Sequence, residues 1–260
     1  MSSEKRLEGK VAVITGAGSG IGRAAALLMA KHGAKVLLID INSDSVKEVR
    51  EKIVSEGGEA LSGNCDISKP ESLVECYKQA IEQWGGIDIV FANAGINGTK
   101  SPIESLELDE WDQTINTNLR GTFATVKYAI PHLKDQGGSI IITSSINGNR
   151  TFTSFGMSAY STTKAGQVAF MKMAALELAQ FKIRVNAICP GAISTNIDES
   201  MEEKPEVEEV RIPIEYHQPL AEGPGQPEQV AKLVLFLASD DASHITGTEV
   251  YIDGAESLLH

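Results

Sequence analysis

Short apolar runs rich in β-branched residues recur along this chain, and a helical pattern separates most of them from the next. "VAVIT" (11–15), "KVLLID" (35–40), "EALSGNCD" (59–66), "IDIVFANAG" (87–95), "GSIIITSS" (138–145), "IRVNAICPG" (183–191) and "TEVYID" (248–253) read as strands. Residues 20–33, 43–58, 70–84, a long stretch near 109–135, 157–181 and 227–239 read as helices, the first two ending in glycine. Strands that are apolar on both faces need cover on both faces, and strand–helix–strand order makes neighbouring strands parallel. The pattern therefore predicts a doubly wound parallel sheet of about seven strands with helices on both faces. No Pro/Gly/Ser linker and no repeat divides the 260 residues, so one large α/β domain is expected.

Composition fits that frame. Hydrophobic residues make up 42% and aromatics only 5%, enough for a large aliphatic core. A net charge of −12 repels phosphate backbones and anionic bilayers, which argues against nucleic-acid and membrane partners. Cys65, Cys76 and Cys189 form no CxxC pair, and no metal site is expected. Their odd number suits a reduced, cytoplasmic setting better than a disulfide framework. The opening "MSSEKRLEGK" is polar and lacks the look of a signal peptide.

One segment breaks the rhythm. Residues 194–226 are rich in charge and proline, and exceed an ordinary αβ connection of about 2–6 residues. The segment leaves the carboxyl end of a strand, which favours a substrate lid over a solvated insertion, with the glutamates from 202 to 209 forming a solvated lid helix.

"TGAGSGIG" (15–22) joins the first strand to the first helix, with Gly16, Gly20 and Gly22 spaced G-x-x-x-G-x-G. Glycines there permit a tight turn and let a phosphate approach backbone N–H groups at a helix start. The second strand ends in Asp40, where a carboxylate can accept from a ribose 2′-hydroxyl and would repel a 2′-phosphate. NAD is expected over NADP. Asp66 and Asn93 to Gly95 end two further strands at the same edge, where ligands of open α/β sheets bind.

"SAYSTTK" opens the helix after the fifth of the long strands. Tyr160 and Lys164, four apart, share a helix face. A tyrosine with an ordinary pKa of about 10 transfers protons poorly at neutral pH, and a nearby cation lowers that value. Ser144 and Ser145 end the preceding strand and can hydrogen-bond a carbonyl or alcohol oxygen.

These motifs, in this order and over nearly the whole chain, resemble those of the classical short-chain dehydrogenase/reductase family: T-G-x-x-x-G-I-G at 15–22, N-A-G at 93–95, Asn118 in "NTNLRG", Ser145, Y-x-x-x-K at 160–164, P-G at 190–191 with Ile193 and Thr195, and the closing "ITGTEVYIDGA". The resemblance implies a Rossmann fold and a NAD-dependent secondary-alcohol/ketone oxidoreductase. In it, Tyr160 would be the general acid/base, Lys164 would lower its pKa and hold the nicotinamide ribose, Ser145 would orient the substrate oxygen, and Asn118 would hold a water linking Lys164 to solvent. The cofactor would lie along Gly16, Ser19, Gly20, Ile21, Gly22, Asp40, Ile41, Asp66, Ile67, Asn93, Ala94, Gly95, Tyr160, Lys164, Pro190, Gly191, Ile193 and Thr195. The substrate class stays open between sugars, polyols, hydroxy-acyl groups and small alcohols, with a 3-oxoacyl thioester as the alternative. A non-catalytic NAD sensor is the reading from another class, and retention of both Tyr160 and Lys164 weighs against it.

Relatives of this kind usually form tetramers through the helices near 109–135 and 157–181 and the last strand. Two departures stand out. Ala92 replaces the first asparagine of N-N-A-G, and the Ser145–Tyr160 spacing is about two residues longer than usual, enlarging the loop "INGNRTFTSFGM". Ser144 remains a substitute for Ser145, although Gly148 in S-S-x-x-G favours the latter. Arg150 in that loop reads more readily as solvated or backbone-bonded than as a partner of a substrate carboxylate, and Phe152, Phe155 and Met157 read as a pocket wall or as residues that close the loop. His132, His217 and His244 read as surface or capping residues.

Overall fold

The computed structural model describes residues 5–197, 201–212, 218–220 and 223–259. Elements follow one another as β1 (Val11–Thr15), α1 (Gly20–Lys31), β2 (Lys35–Asp40), α2 (Ser43–Ser55), β3 (Glu59–Asn64), α3 (Pro70–Trp84), β4 (Ile89–Ala92), β5 (Thr99–Lys100), α4 (Leu108–Thr114), a π-helical segment (Ile115–Arg120), α5 (Gly121–Leu133), β6 (Gly138–Thr143), α6 (Ser158–Leu178), β7 (Ile183–Pro190), β8 (Glu202–Glu203), α7 (Val207–Val210), α8 (Pro227–Ala238) and β9 (Glu249–Ile252). Seven of the strands form one sheet in the order β3-β2-β1-β4-β6-β7-β9, and neighbouring strands in it run parallel.

The doubly wound expectation holds, and its cause is visible in single strands. In β1, Val13 packs into one core layer while Ala12 and Ile14 pack into the other, and all three are fully buried. Alternate residues serve opposite faces, so a strand covered on both sides reads as unbroken apolar sequence. α3, α5 and α6 cover one face through residues such as Leu73, Val126 and Met171. α1, α2 and α8 cover the other through Ala25, Val49 and Val234. Each fully buried Leu, Ile or Val contributes ~1.5–3 kcal/mol relative to exposure.

Local chemistry starts and stops the helices. The Asn42 side chain accepts from the amides of Asp44 and Ser45, both at 3.1 Å, which caps α2. Pro70 opens α3 and Gly85, at φ +87°, ends it in the left-handed region where only glycine is unstrained.

Two expectations need correction. The stretch near 109–135 is not one regular helix, because Ile115–Arg120 winds as a π-helix between α4 and α5. The glutamates from 202 to 209 do not form one solvated helix. Glu202 and Glu203 pair as β8 with β5 in a small second sheet, only Val207–Val210 is helical, and Val207 is fully buried. Lys100 draws Glu203 into that pairing at 2.9 Å, which helical winding would break.

Strand order reverses between β1 and β4, which run side by side although β2 and β3 intervene in sequence. Chains leaving their carboxyl ends diverge to opposite faces there and leave a crevice. The site lies in it.

Candidate active site

A cleft of about 1290 Å³ opens at the carboxyl ends of β1, β2, β4, β6 and β7. Of the catalytic and cofactor-binding residues expected, all but Gly22 and Asn118 line it.

The glycine turn has no room for side chains. Gly16 and Gly20 sit at φ +67° and +50°. A Cβ on Gly16 would lie 2.9 Å from Cα of Ala94, and one on Gly22 would lie 2.0 Å from the Gly16 carbonyl oxygen. Gly22 therefore acts beneath the turn, letting α1 pack against it. Asp40 holds the same turn from β2, its carboxylate accepting from the amides of Gly18 and Asn42, each at 3.0 Å. Ile41 beside it is exposed. Asn93 ties three strand ends together. Its side-chain amide donates to the carbonyl of Thr15 at 3.2 Å, its side-chain oxygen accepts from the Thr143 hydroxyl at 3.0 Å, and its backbone amide donates to the Thr15 hydroxyl at 3.0 Å. Burial pushes Asp66 upward, but the Ser68 hydroxyl and amide together with Lys69 outweigh it, and the carboxyl rests below its usual range.

On the other side of the cleft, Lys164 is buried at 4% exposure. Its ammonium donates to the Thr143 carbonyl at 2.9 Å and lies 5.3 Å from the centre of the Tyr160 ring. Burial pushes the Lys164 ammonium down to about 8. Ser144 and Ser145 have different tasks. The Ser144 hydroxyl donates to the Lys164 carbonyl at 2.8 Å and accepts from Asn149 at 2.9 Å, so its proton is committed to holding α6. The Ser145 hydroxyl accepts from the Asn147 amide at 3.1 Å and keeps a proton to donate. Gly148, at φ +89°, brings the backbone so near α6 that a Cβ would lie 2.3 Å from the Ser161 carbonyl oxygen.

This arrangement joins the crevice at the strand-order reversal to a tyrosine–lysine–serine cluster. The family model described as "Enoyl-(Acyl carrier protein) reductase" matches residues 16–255. The cyclohexanol dehydrogenase of Acinetobacter sp. is 38% identical over 251 residues, covering 96% of each chain. A crystal structure of a 3-ketoacyl-ACP reductase from Sinorhizobium meliloti is 47% identical with a TM-score of 0.91, covering 96% of this chain and 100% of that one. A 3-ketoacyl-(acyl-carrier-protein) reductase from Brucella melitensis, solved with NADH, is 33% identical with a TM-score of 0.85 over 96% of this chain and 99% of that one. The chain belongs to the short-chain dehydrogenase/reductase family, whose members are oxidoreductases.

In this short-chain dehydrogenase/reductase, Asn118 lies behind the cleft and is fully buried in the π-helical segment. Its side chain closes a pair of hydrogen bonds with the backbone of Ile96, both 2.8 Å, and donates to Thr163 at 3.2 Å. Its carbonyl accepts from the Thr122 hydroxyl at 2.6 Å and from Gln167 at 2.9 Å. The extra residue of a π-turn frees backbone groups that these side chains satisfy.

Other expectations shift. Arg150 is not among the described residues lining the cleft. Its guanidinium stacks 3.5 Å from the centre of the Tyr251 ring, because a planar cation gains more on an aromatic face than in solvent. It is therefore not placed to meet a substrate carboxylate. Phe152 is exposed at 70% and forms no pocket wall, whereas Phe155 and Met157 line the cleft. His132 is half-buried and His244 exposed. His217 lies outside the described residues.

Sequence reasoning missed Thr15, Thr143, Asn149 and Glu256. Partners such as Asn93 for Thr15 and Thr143, and Ala192 for Glu256, lie far away in sequence, so periodicity carries no trace of these contacts. Among the described residues no helix is long and apolar enough to cross a membrane, and no group of three or more His, Cys, Asp or Glu could hold a metal ion.

Proposed function

We propose that the chain is a single-domain, NAD-preferring oxidoreductase that interconverts a secondary alcohol and a ketone. The observation that carries this reading is the convergence of Tyr160, Lys164 and Ser145 on one cleft with the glycine turn and Asp40. The turn fits a dinucleotide: its glycines pack the backbone tightly with no side chain between it and the cleft, and Asp40 is already oriented by two backbone amides.

Gly16, Ser19, Gly20, Ile21, Asp40, Ile41, Asp66, Ile67, Asn93, Ala94, Gly95, Pro190, Gly191, Ile193 and Thr195 would hold the cofactor, with Tyr160 and Lys164 at its nicotinamide ribose and Gly22 supporting the turn. A bound nicotinamide dinucleotide supplies the hydride acceptor for alcohol oxidation and the donor for ketone reduction. Tyr160 takes the alcohol proton, or returns it to the ketone oxygen. The buried Lys164 charge stabilises the phenolate, since a cation in a low-dielectric site favours an adjacent anion. The Ser145 proton orients the substrate oxygen. Asn118 fixes the backbone behind Lys164 and would hold the water that links it to solvent. The Asp40 carboxylate meets a ribose 2′-hydroxyl and opposes a 2′-phosphate, which sets NAD over NADP.

Residues 194–226 form the substrate lid in this reading. A small alcohol and a 3-oxoacyl thioester both remain as substrates, the second favoured by the likeness to the Sinorhizobium protein. Association as a homotetramer through α5 and α6 fits the exposure of Phe123, Met173 and Leu176 on those helices. Sedimentation showing only a 27.8 kDa species would refute it. The activity is tested by following NADH absorbance over polyols, sugars, hydroxy acids, cyclic alcohols and hydroxy-acyl thioesters, each with NAD and NADP. Turnover on one class, faster with NAD, is expected. NADH binding without turnover on any class would favour a sensor.

A further inference from the structure

Glu256 lies outside the tyrosine–lysine–serine cluster, yet it lines the cleft and is buried at 8% exposure. It follows Ala255, whose φ of +69° is a left-handed conformation that costs a non-glycine residue energy. Asp253 holds that strained turn by accepting from the amides of Ala255 and Ser257, each at 3.1 Å. Such strain persists only where surrounding contacts over-determine it, and it clusters at functional sites.

The turn aims the Glu256 carboxylate back at the loop after β7. Its Oε2 accepts from the Ala192 amide at 3.0 Å and from the Gln218 side-chain amide at 2.9 Å. The same Gln218 nitrogen donates to the Ala192 carbonyl at 3.0 Å, which closes a three-cornered set of bonds. The Ala192 carbonyl also accepts from the Gly225 amide at 2.9 Å, and Ser194 donates back to Gly225 at 2.8 Å. Gly191 has no side chain for a matching reason: a Cβ there would lie 2.6 Å from Glu256 Oε2.

We infer that Glu256 is a positioning residue that locks Ala192, and through Gln218 couples the 190–195 loop to the far end of the 194–226 segment. This role rests on the dinucleotide reading above, in which Pro190, Gly191, Ile193 and Thr195 hold the cofactor. A carboxylate serves because one oxygen accepts two donors, and charged acceptors form stronger bonds than neutral ones. The clamp joins three stretches that are distant in sequence, so cofactor binding and substrate enclosure respond to it together.

The test compares Glu256→Ala, Glu256→Gln, Gln218→Ala and the double variant Glu256→Ala/Gln218→Ala in the full chain. Glu256→Ala is expected to raise both the NADH dissociation constant and the substrate KM about tenfold, with kcat changed by less than about threefold. Glu256→Gln restores most of the loss, because a single amide oxygen can take the place of Oε2. The double variant falls short of the product of the two single effects, as groups in one network do. Hydrogen–deuterium exchange without cofactor shows faster exchange at Ala192 and Gly225 in Glu256→Ala. If that variant does not fold, Gln218→Ala and Glu256→Gln carry the same comparison. Unchanged exchange, multiplicative effects, or a Gln variant as poor as Ala overturns the inference. Wild-type protein that binds no NADH overturns the dinucleotide reading, and the role in cofactor positioning with it, while exchange still reports separately on the clamp.

Discussion

The two ends of the cleft are built by different means. The dinucleotide end is made of backbone: glycines without room for a Cβ, strand-end amides, and the carboxylate of Asp40 bonded to two of them. The end proposed for the substrate is made of side chains from segments far apart, joined by partly exposed ion pairs. Lys100 meets Glu203 at 2.9 Å and Lys204 meets Glu110 at 2.8 Å, while Arg211 bonds both Glu203 and Glu208. Backbone geometry tolerates almost no substitution, whereas partly exposed ion pairs contribute little each and can be exchanged. One scaffold can then keep its cofactor chemistry while its substrate wall varies.

The largest effect on stability and cofactor binding together should come from breaking the rigid end. Gly22→Ala drives a methyl into the Gly16 carbonyl, and the turn must move. NADH binding, read by fluorescence titration, should weaken at least tenfold, with a stability loss on the order of 2–4 kcal/mol in urea unfolding.

Next in size is Lys164→Met. Burial holds the Lys164 pKa near 8, below its ordinary 10.5, so between those values the unfolded chain binds more protons than the folded one. Stability rises with pH across that window, and the cost of the buried charge is fully present below it. At pH 7 the Met variant should gain up to about 3 kcal/mol, a gain that fades toward pH 10.5, while turnover is lost. Unfolding curves at pH 7 and pH 10 check the sign, and equal gains at both would contradict it.

The smallest effect belongs to the variable end. Lys100→Ala should change stability by less than about 1 kcal/mol and substrate KM by about threefold, both shrinking at high salt. A loss of NADH binding there would erase the contrast between the two ends.

That contrast also explains what could be read before the fold was known. The seven strands, the glycine turn and the Tyr160–Lys164 pair were legible because each is a local pattern with a fixed period. The π-helical turn at Asn118 was not, since polar residues inside a helical stretch do not by themselves show how it winds. The two-residue strands β5 and β8 were too short for any period to show. The partner of Arg150 stayed open between solvent, backbone and substrate, because the aromatic face of Tyr251 that takes it lies about a hundred residues on in the sequence. Glu256 was passed over because its partners, Ala192 and Gln218, lie 64 and 38 residues away.

The central claim is that Tyr160 moves the proton in a cleft whose dinucleotide end is built independently of it. The most direct test is Tyr160→Phe, with NADH affinity and turnover measured on the same preparation. The account predicts turnover lower by about 10²–10⁴ with NADH affinity changed less than about threefold. Turnover near that of the wild type would contradict it.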